Sequence, residues 1–385
     1  MTKRRIILSL LCAAVFLTSC SSTNTSDSSV SLDYYDESMG TAFATDSGIY
    51  HTNSSNFLYF YDYESKQDVL VCSKQNCTHD VWDENTPDEQ KCNGYLGNGL
   101  CAGFVTNNTL YILLVDPSEN QSLLYSSQLD RSQQKLLCKI PSGTTVPTFV
   151  VQDNILYLGI SQAQMNDSNS PNAGTSSAKT DIWFTSINLG TGKCKDLTEV
   201  ETYYNADLHI IGSGEHTIYL EQTCFEKEFT GTNYADAKIH TQFFSYDTQT
   251  ASYQEIAHLP EAISSAYVFK DKLLYAKNDL QNTNNYTVYQ ISVKNVSETE
   301  ISASSICPVC IGQNIILNTE KGYVRYDINS QRMQPITGSI LKNFRCFQEL
   351  GAYYYGVPLS DNASPCLILK EDLYNGTERF VKLTW

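Results

Sequence analysis

One short turn recurs seven times along this 385-residue chain, and an internal repeat restricts the possible folds more than any composition can. The copies read Asp62-Tyr-Glu-Ser-Lys66, Asp130-Arg-Ser-Gln-Gln134, Asn188-Leu-Gly-Thr-Gly192, Asp247-Thr-Gln-Thr-Ala251, Ser292-Val-Lys-Asn-Val296, Asp327-Ile-Asn-Ser-Gln331 and Asp372-Leu-Tyr-Asn-Gly376. Six open with Asp or Asn and one with Ser. Such side chains bond backbone N–H groups just downstream and favour a tight turn. Each copy follows a strand-like run such as Phe57-Leu-Tyr-Phe-Tyr61, and a second short strand comes next.

A second element precedes each hairpin. It reads Gly48-Ile-Tyr50, Thr109-Leu-Tyr111, Ile155-Leu-Tyr157, Thr217-Ile-Tyr219, Leu273-Leu-Tyr275, Ile315-Ile-Leu317 and Tyr353-Tyr-Tyr355. One more short strand fits before each, as in Thr41-Ala-Phe-Ala44 or Thr148-Phe-Val-Val151. That makes four antiparallel strands per repeat, and no segment past the N-terminus carries a sustained helical period. The expectation is an all-β, seven-bladed β-propeller over residues 40–385, with four antiparallel strands per blade. The blades fall near 40–72, 101–141, 147–199, 206–258, 263–302, 306–338 and 341–385, and residues 73–100 form a Cys-rich insertion. The strand-to-Asp-turn pattern resembles the extracytoplasmic bacterial propellers of the PQQ-like, TolB-like and kelch-like kinds. The resemblance covers about residues 40–385 and implies a fold rather than an activity.

If strands run a to d from the axis outward, the b–c and d–a connections share one face. The long insertions fall there: 73–100, 161–181, 221–241 and 277–285. Function sits preferentially on loops carried by a rigid scaffold. Phe225, Phe229 and Tyr234 are therefore the candidate contact residues of a binding face.

The N-terminus sets an address. Lys3, Arg4 and Arg5 precede an apolar run from Ile6 to Leu17, too short for a bilayer span and right for a secretory signal. The run ends Leu17-Thr18-Ser19-Cys20, which resembles a bacterial lipobox. The resemblance implies a signal peptide over 1–19, lipid attachment at Cys20, and a membrane-anchored chain on the extracytoplasmic side. Residues 20–39 are rich in Ser and Thr and read as a flexible tether. Removal of 1–19 changes the net charge from −16 to −19. That acidity excludes nucleic acid as a partner, because backbone recognition requires clustered Lys and Arg.

Thirteen cysteines are present, and the densest group is Cys72-Ser-Lys-Gln-Asn-Cys77-Thr-His79 followed by Cys92 and Cys101. Thiolates and an imidazole in one compact loop suit tetrahedral zinc. Cys72, Cys77, His79 and Cys92 are the candidate ligands of a structural zinc site, with disulfides and free thiols as the competing states. The segment is similar to a Cys-Cys-His-Cys segment of uncharacterised propeller lipoproteins from Gram-positive anaerobes, a resemblance that implies no chemistry. Cys307-Pro-Val-Cys310 has redox-motif spacing but reads as strand, without the helix N-terminus that lowers a thiol pKa. HExxH and GxSxG are absent. The functional expectation is a binding or scaffold module for a protein or glycan. The alternatives are a polysaccharide-active hydrolase or lyase, or a sensory subunit of an envelope signalling system.

Overall fold

The computed structural model describes residues 42–385 except 84, 98, 117, 120, 142–147, 165–178, 228–237, 279–284, 294–296, 312 and 360–363. The signal, Cys20, the tether, Phe229 and Tyr234 lie outside the described residues. Among the described residues, strands group into successive four-stranded antiparallel meanders of propeller type.

The first meander is β1 (Ala42–Ala44), β2 (Gly48–Thr52), β3 (Leu58–Asp62) and β4 (Asp68–Leu70). The second is β5 (Leu100–Thr106), β6 (Thr109–Asp116), β7 (Gln121–Ser127) and β8 (Lys135–Pro141). The third is β9 (Phe149–Gln152), β10 (Ile155–Ala163), β11 (Lys179–Asn188) and β12 (Cys194–Asp196). The fourth is β13 (Glu201–Ser213), β14 (Thr217–Phe225), β15 (Ile239–Asp247) and β16 (Ser252–Leu259). The fifth is β17 (Ser265–Phe269), β18 (Lys272–Asn278), β19 (Tyr286–Ser292) and β20 (Glu298–Ser304). The sixth is β21 (Val309–Ile311), β22 (Asn314–Thr319), β23 (Gly322–Asp327) and β24 (Arg332–Pro335). The last is β25 (Phe344–Leu350), β26 (Tyr353–Pro358), β27 (Cys366–Leu369) and β28 (Phe380–Lys382).

The repeated aromatic has a common place. Tyr50, Tyr111, Tyr157, Tyr219, Tyr275 and Tyr355, with Leu317, are all buried on the second strand of their meanders. The repeated turn also has a common cause. The side chains of Asp62, Asn188, Asp247 and Asp327 accept the backbone N–H three residues on, at 2.6–3.0 Å. Four residues after each of these, Lys66, Gly192, Ala251 and Gln331 take a left-handed backbone. An Asx side chain at the first position offsets the cost of that conformation.

Residues 294–296 of the Ser292 copy lie outside the described residues, and two of the other copies depart from the pattern. In the second meander β7 ends at Ser127, so Asp130 lies inside a longer turn in which Arg131 and Gln133 are left-handed. In the last, Asp372 belongs to a helix, α2 (Lys370–Tyr374), where it is buried and ion-paired with Arg379. Another short helix, α1 (Ile340–Asn343), precedes β25. The third and fourth meanders were expected as separate sheets. Instead, Glu201–Tyr204 of β13 pair with Lys179–Ile182 of β11 and join them into one eight-stranded sheet. The b–c insertions are also shorter than the sequence suggests. Ala163 pairs with Thr180, and Phe225 with Ile239, so both hairpins extend by cross-strand bonds.

Neighbouring meanders share apolar cores. Phe43, Tyr50 and Leu58 pack with Leu100, Leu110 and Ile112 between the first and second. Gly103 is required there, since a Cβ would lie 2.2 Å from the Phe43 ring. The last meander packs against the first: Ala42, Ile49 and Tyr61 share a core with Leu350, Tyr353, Tyr355 and Leu383. Tyr63 stacks on Tyr353 at 5.6 Å, and the Thr384 N–H donates to Asp68 Oδ2 at 2.7 Å.

Candidate metal centre

Cys72 emerges two residues after β4, at the end of the first meander. The chain then turns through Asn76 and His79, both left-handed, with φ of 57° and 58°. Asn and His tolerate that region better than most residues, and such strain concentrates at functional positions. The returning limb is tied to the first meander by backbone bonds. Leu58 N–H donates to Gly94 O at 2.8 Å, and Leu96 N–H to Asn56 O at 2.9 Å. Gly94 permits this approach, because a Cβ would sit 2.6 Å from Val71 O. Trp82 Nε1 donates to Cys92 O at 2.9 Å, its indole meets Tyr95 edge-on, and Tyr95 packs on Phe57.

This path brings one ligand atom each from Cys72, Cys77, His79 and Cys92 within 4.8 Å of one another. His79 Nδ1 lies 3.5 Å from Cys92 Sγ. Cys92 is buried, Cys72 and Cys77 are half-buried, and His79 is exposed. The four residues singled out from spacing thus converge on one point. Cys101, the next cysteine along, lies within β5.

The electrostatics are uneven. Burial acts to raise the Cys72 thiol, but the N–H groups of Lys74 and Asn93 and the thiols of Cys77 and Cys92 outweigh it and lower its pKa. Cys92 is pushed up to about 12, first by burial, against a Gly94 N–H that favours the thiolate. Crowded thiols resist joint ionisation unless a cation sits among them.

Sequence reasoning missed Arg131. It is only 2% exposed, from the longer turn of the second meander. Its Nε donates to Asn93 O at 3.2 Å and its Nη2 to Gln134 Oε1 at 3.0 Å, while Nη1 has no partner among the described residues. Asn93 Nδ2 donates back to Arg131 O at 3.2 Å and to Ser73 Oγ at 2.7 Å. Burial pulls the guanidinium down to about 10, so it stays charged at neutral pH, and Tyr125 and Cys92 act in the other direction. An uncompensated buried cation is costly. No signal in the sequence marked it, because Asp130 opens this turn as Asp or Asn opens most of the other copies.

The donor set fits zinc. Three thiolates, one imidazole and a divalent ion carry a net charge of −1, which Arg131 would balance. Four protein ligands leave no open position, so such an ion would be structural rather than catalytic.

The other candidates fare differently. Phe225 was expected on an exposed loop, but it lies inside β14 and is 7% exposed. Its ring fills the protein, because the hairpin continues past it. Cys307 was expected within a strand but is exposed two residues before β21, which begins at Val309 and holds Cys310. A pair absent from the sequence reading is the buried Cys224 and the half-buried His240, with Sγ and Nε2 3.1 Å apart. Burial raises the thiol and lowers the imidazole, so both stay neutral and the pair is not an activated nucleophile.

No protein-family profile matches the chain, and no curated protein does. Solved structures with a similar fold include an oligogalacturonate lyase in complex with manganese, at 8% identity and a TM-score of 0.49, covering 90% of this chain and 98% of that one. TolB from Acinetobacter baumannii matches at 11% identity and a TM-score of 0.39, over 89% of this chain and 77% of its own. The tricorn protease matches at 10% identity and 0.48, over 75% of this chain. This chain spans 29% of the tricorn protease. At these scores no property of those proteins transfers to this one.

Proposed function

We propose that this protein is a lipid-anchored, extracytoplasmic binding scaffold, a closed seven-bladed propeller whose 73–100 connection is fastened by one structural zinc ion. The observation that carries the metal is the convergence of Cys72, Cys77, His79 and Cys92 within 4.8 Å, beside a buried Arg131 that has no ion pair among the described residues. Disulfides suit the same atoms less well. They would use an even number of three crowded thiols and would leave the guanidinium without a counter-charge. The meanders and the core shared by the first and last support the closed ring. The lipobox-like Leu17-Thr18-Ser19-Cys20 supports the anchor.

Metal analysis of the purified chain should give one equivalent of zinc, lost in Cys77→Ser. Intact disulfides with no metal would overturn the site. A protein or glycan partner is proposed for the end of the propeller that carries the insertions. Replacing Phe229 and Tyr234 with Ala should abolish capture of that partner while the melting temperature stays unchanged. Capture that survives in the double variant would sink this assignment.

A further inference from the structure

Two cysteines outside the metal centre lie on the outermost strands of adjacent meanders. Cys138 is half-buried on β8 and Cys194 is exposed at the start of β12. Their backbones approach closely at one point. Gly192 is left-handed, and a Cβ there would lie 2.4 Å from Leu137 O and 3.5 Å from its Cα. Cys194 follows two residues later, with its Sγ 3.9 Å from Gly192 O. Leu137, which meets Gly192, is the residue directly before Cys138, and Cys194 is near enough to act on the Cys138 thiol. The third-meander turn therefore carries Cys194 across the gap to the neighbouring strand.

We infer that Cys138 and Cys194 are a disulfide-forming pair that cross-links the second and third meanders at their outer edges. The inference is independent of the metal centre, whose ligands it does not use. The order of events follows from exposure. The Cys194 thiolate attacks one sulfur of a small-molecule disulfide, forming a mixed disulfide and releasing one thiolate. Cys138 then gives up its proton and attacks the Cys194 sulfur, releasing the second thiolate. Two protein thiols lose two electrons and two protons in all, and the oxidant leaves as two thiols. Burial, followed by the neighbouring Cys194, pushes the Cys138 thiol up to about 12, so it is the poorer first nucleophile and the natural resolving group. A link between residues far apart in sequence restricts the unfolded chain strongly.

The test incubates the full native chain with oxidised glutathione, blocks free thiols with iodoacetamide, and maps the digest by mass spectrometry. The expected result is a Cys138–Cys194 cross-linked peptide pair and a melting temperature several degrees higher. Both changes should be absent in Cys194→Ser, which also controls for any effect of oxidant on the metal ligands. Alkylation of both cysteines after incubation would overturn the inference. So would glutathione arrested on Cys194, or Cys138 linked to a different cysteine.

Discussion

The first meander meets two neighbours, and the two contacts are built differently. Against the last meander it uses rings and hydrogen bonds: Tyr61, Tyr63 and Tyr353 pack together, and Asp68 holds both His51 and the Thr384 N–H. Against the second meander an apolar core also exists, but the 73–100 connection extends beyond it. Over that stretch the side chains are mostly polar; Trp82 meets Tyr95, and Leu96 and Leu100 reach the shared core. Ligand chemistry can hold chain where too little apolar surface exists to offset its conformational entropy. The seam instead buries Ile49, Tyr61, Tyr353 and Tyr355 in one apolar core.

That contrast can be broken in stages. Chelation of the proposed zinc should have the largest effect, since structural zinc contributes about 10 kcal/mol or more in small sites. Proteolysis within 73–100 should accelerate sharply, while far-UV circular dichroism of the strands persists. Tyr353→Ala should cost about 3–5 kcal/mol in urea unfolding, as expected for removing a large buried aromatic, and should leave metal content unchanged. Arg131→Met should weaken metal affinity by about 10–100-fold, the usual range for losing a supporting group, read by competition with a chromogenic chelator. Asp68→Asn should cost about 1–2 kcal/mol.

Asp68 also gives the seam a pH signature. Burial raises its pKa, but the His51 hydrogen bond and charge and the Thr384 N–H outweigh this and lower it. A depressed carboxylate stabilises the fold above its unfolded pKa of about 3.9, and that contribution disappears as pH falls through the lower folded value. The urea midpoint should therefore decline more steeply below about pH 4 in the wild type than in Asp68→Asn. The smallest effect is expected at Val81, 61% exposed in the Cys-rich connection. Val81→Ser should stay within about 0.5 kcal/mol.

Much of the architecture was legible because it rests on local rules repeated many times. The Asx turns are set by side chains bonding their own backbone, and the Tyr positions by alternation along short strands. The metal-ligand candidates were legible because residues close in sequence can converge without help from the rest of the fold. Three features were not legible. Phe225 reads as loop from its polar surroundings, yet cross-strand bonding to Ile239 carries the hairpin past it. The union of the third and fourth meanders depends on β13 reaching β11, a pairing between different repeats. Arg131 sits in a turn whose Asp130 imitates the repeat while the strand has already ended at Ser127.

The sequence by itself determined the repeat, its all-β character and the chemistry of the cysteine cluster, since each arises from residues near one another along the chain. Only the tertiary structure decided which groups meet across repeats: Arg131 on Asn93, Tyr353 on Tyr63, and Gly192 against Leu137. Those contacts join segments far apart in sequence, and their geometry is set by packing between sheets rather than by any local preference.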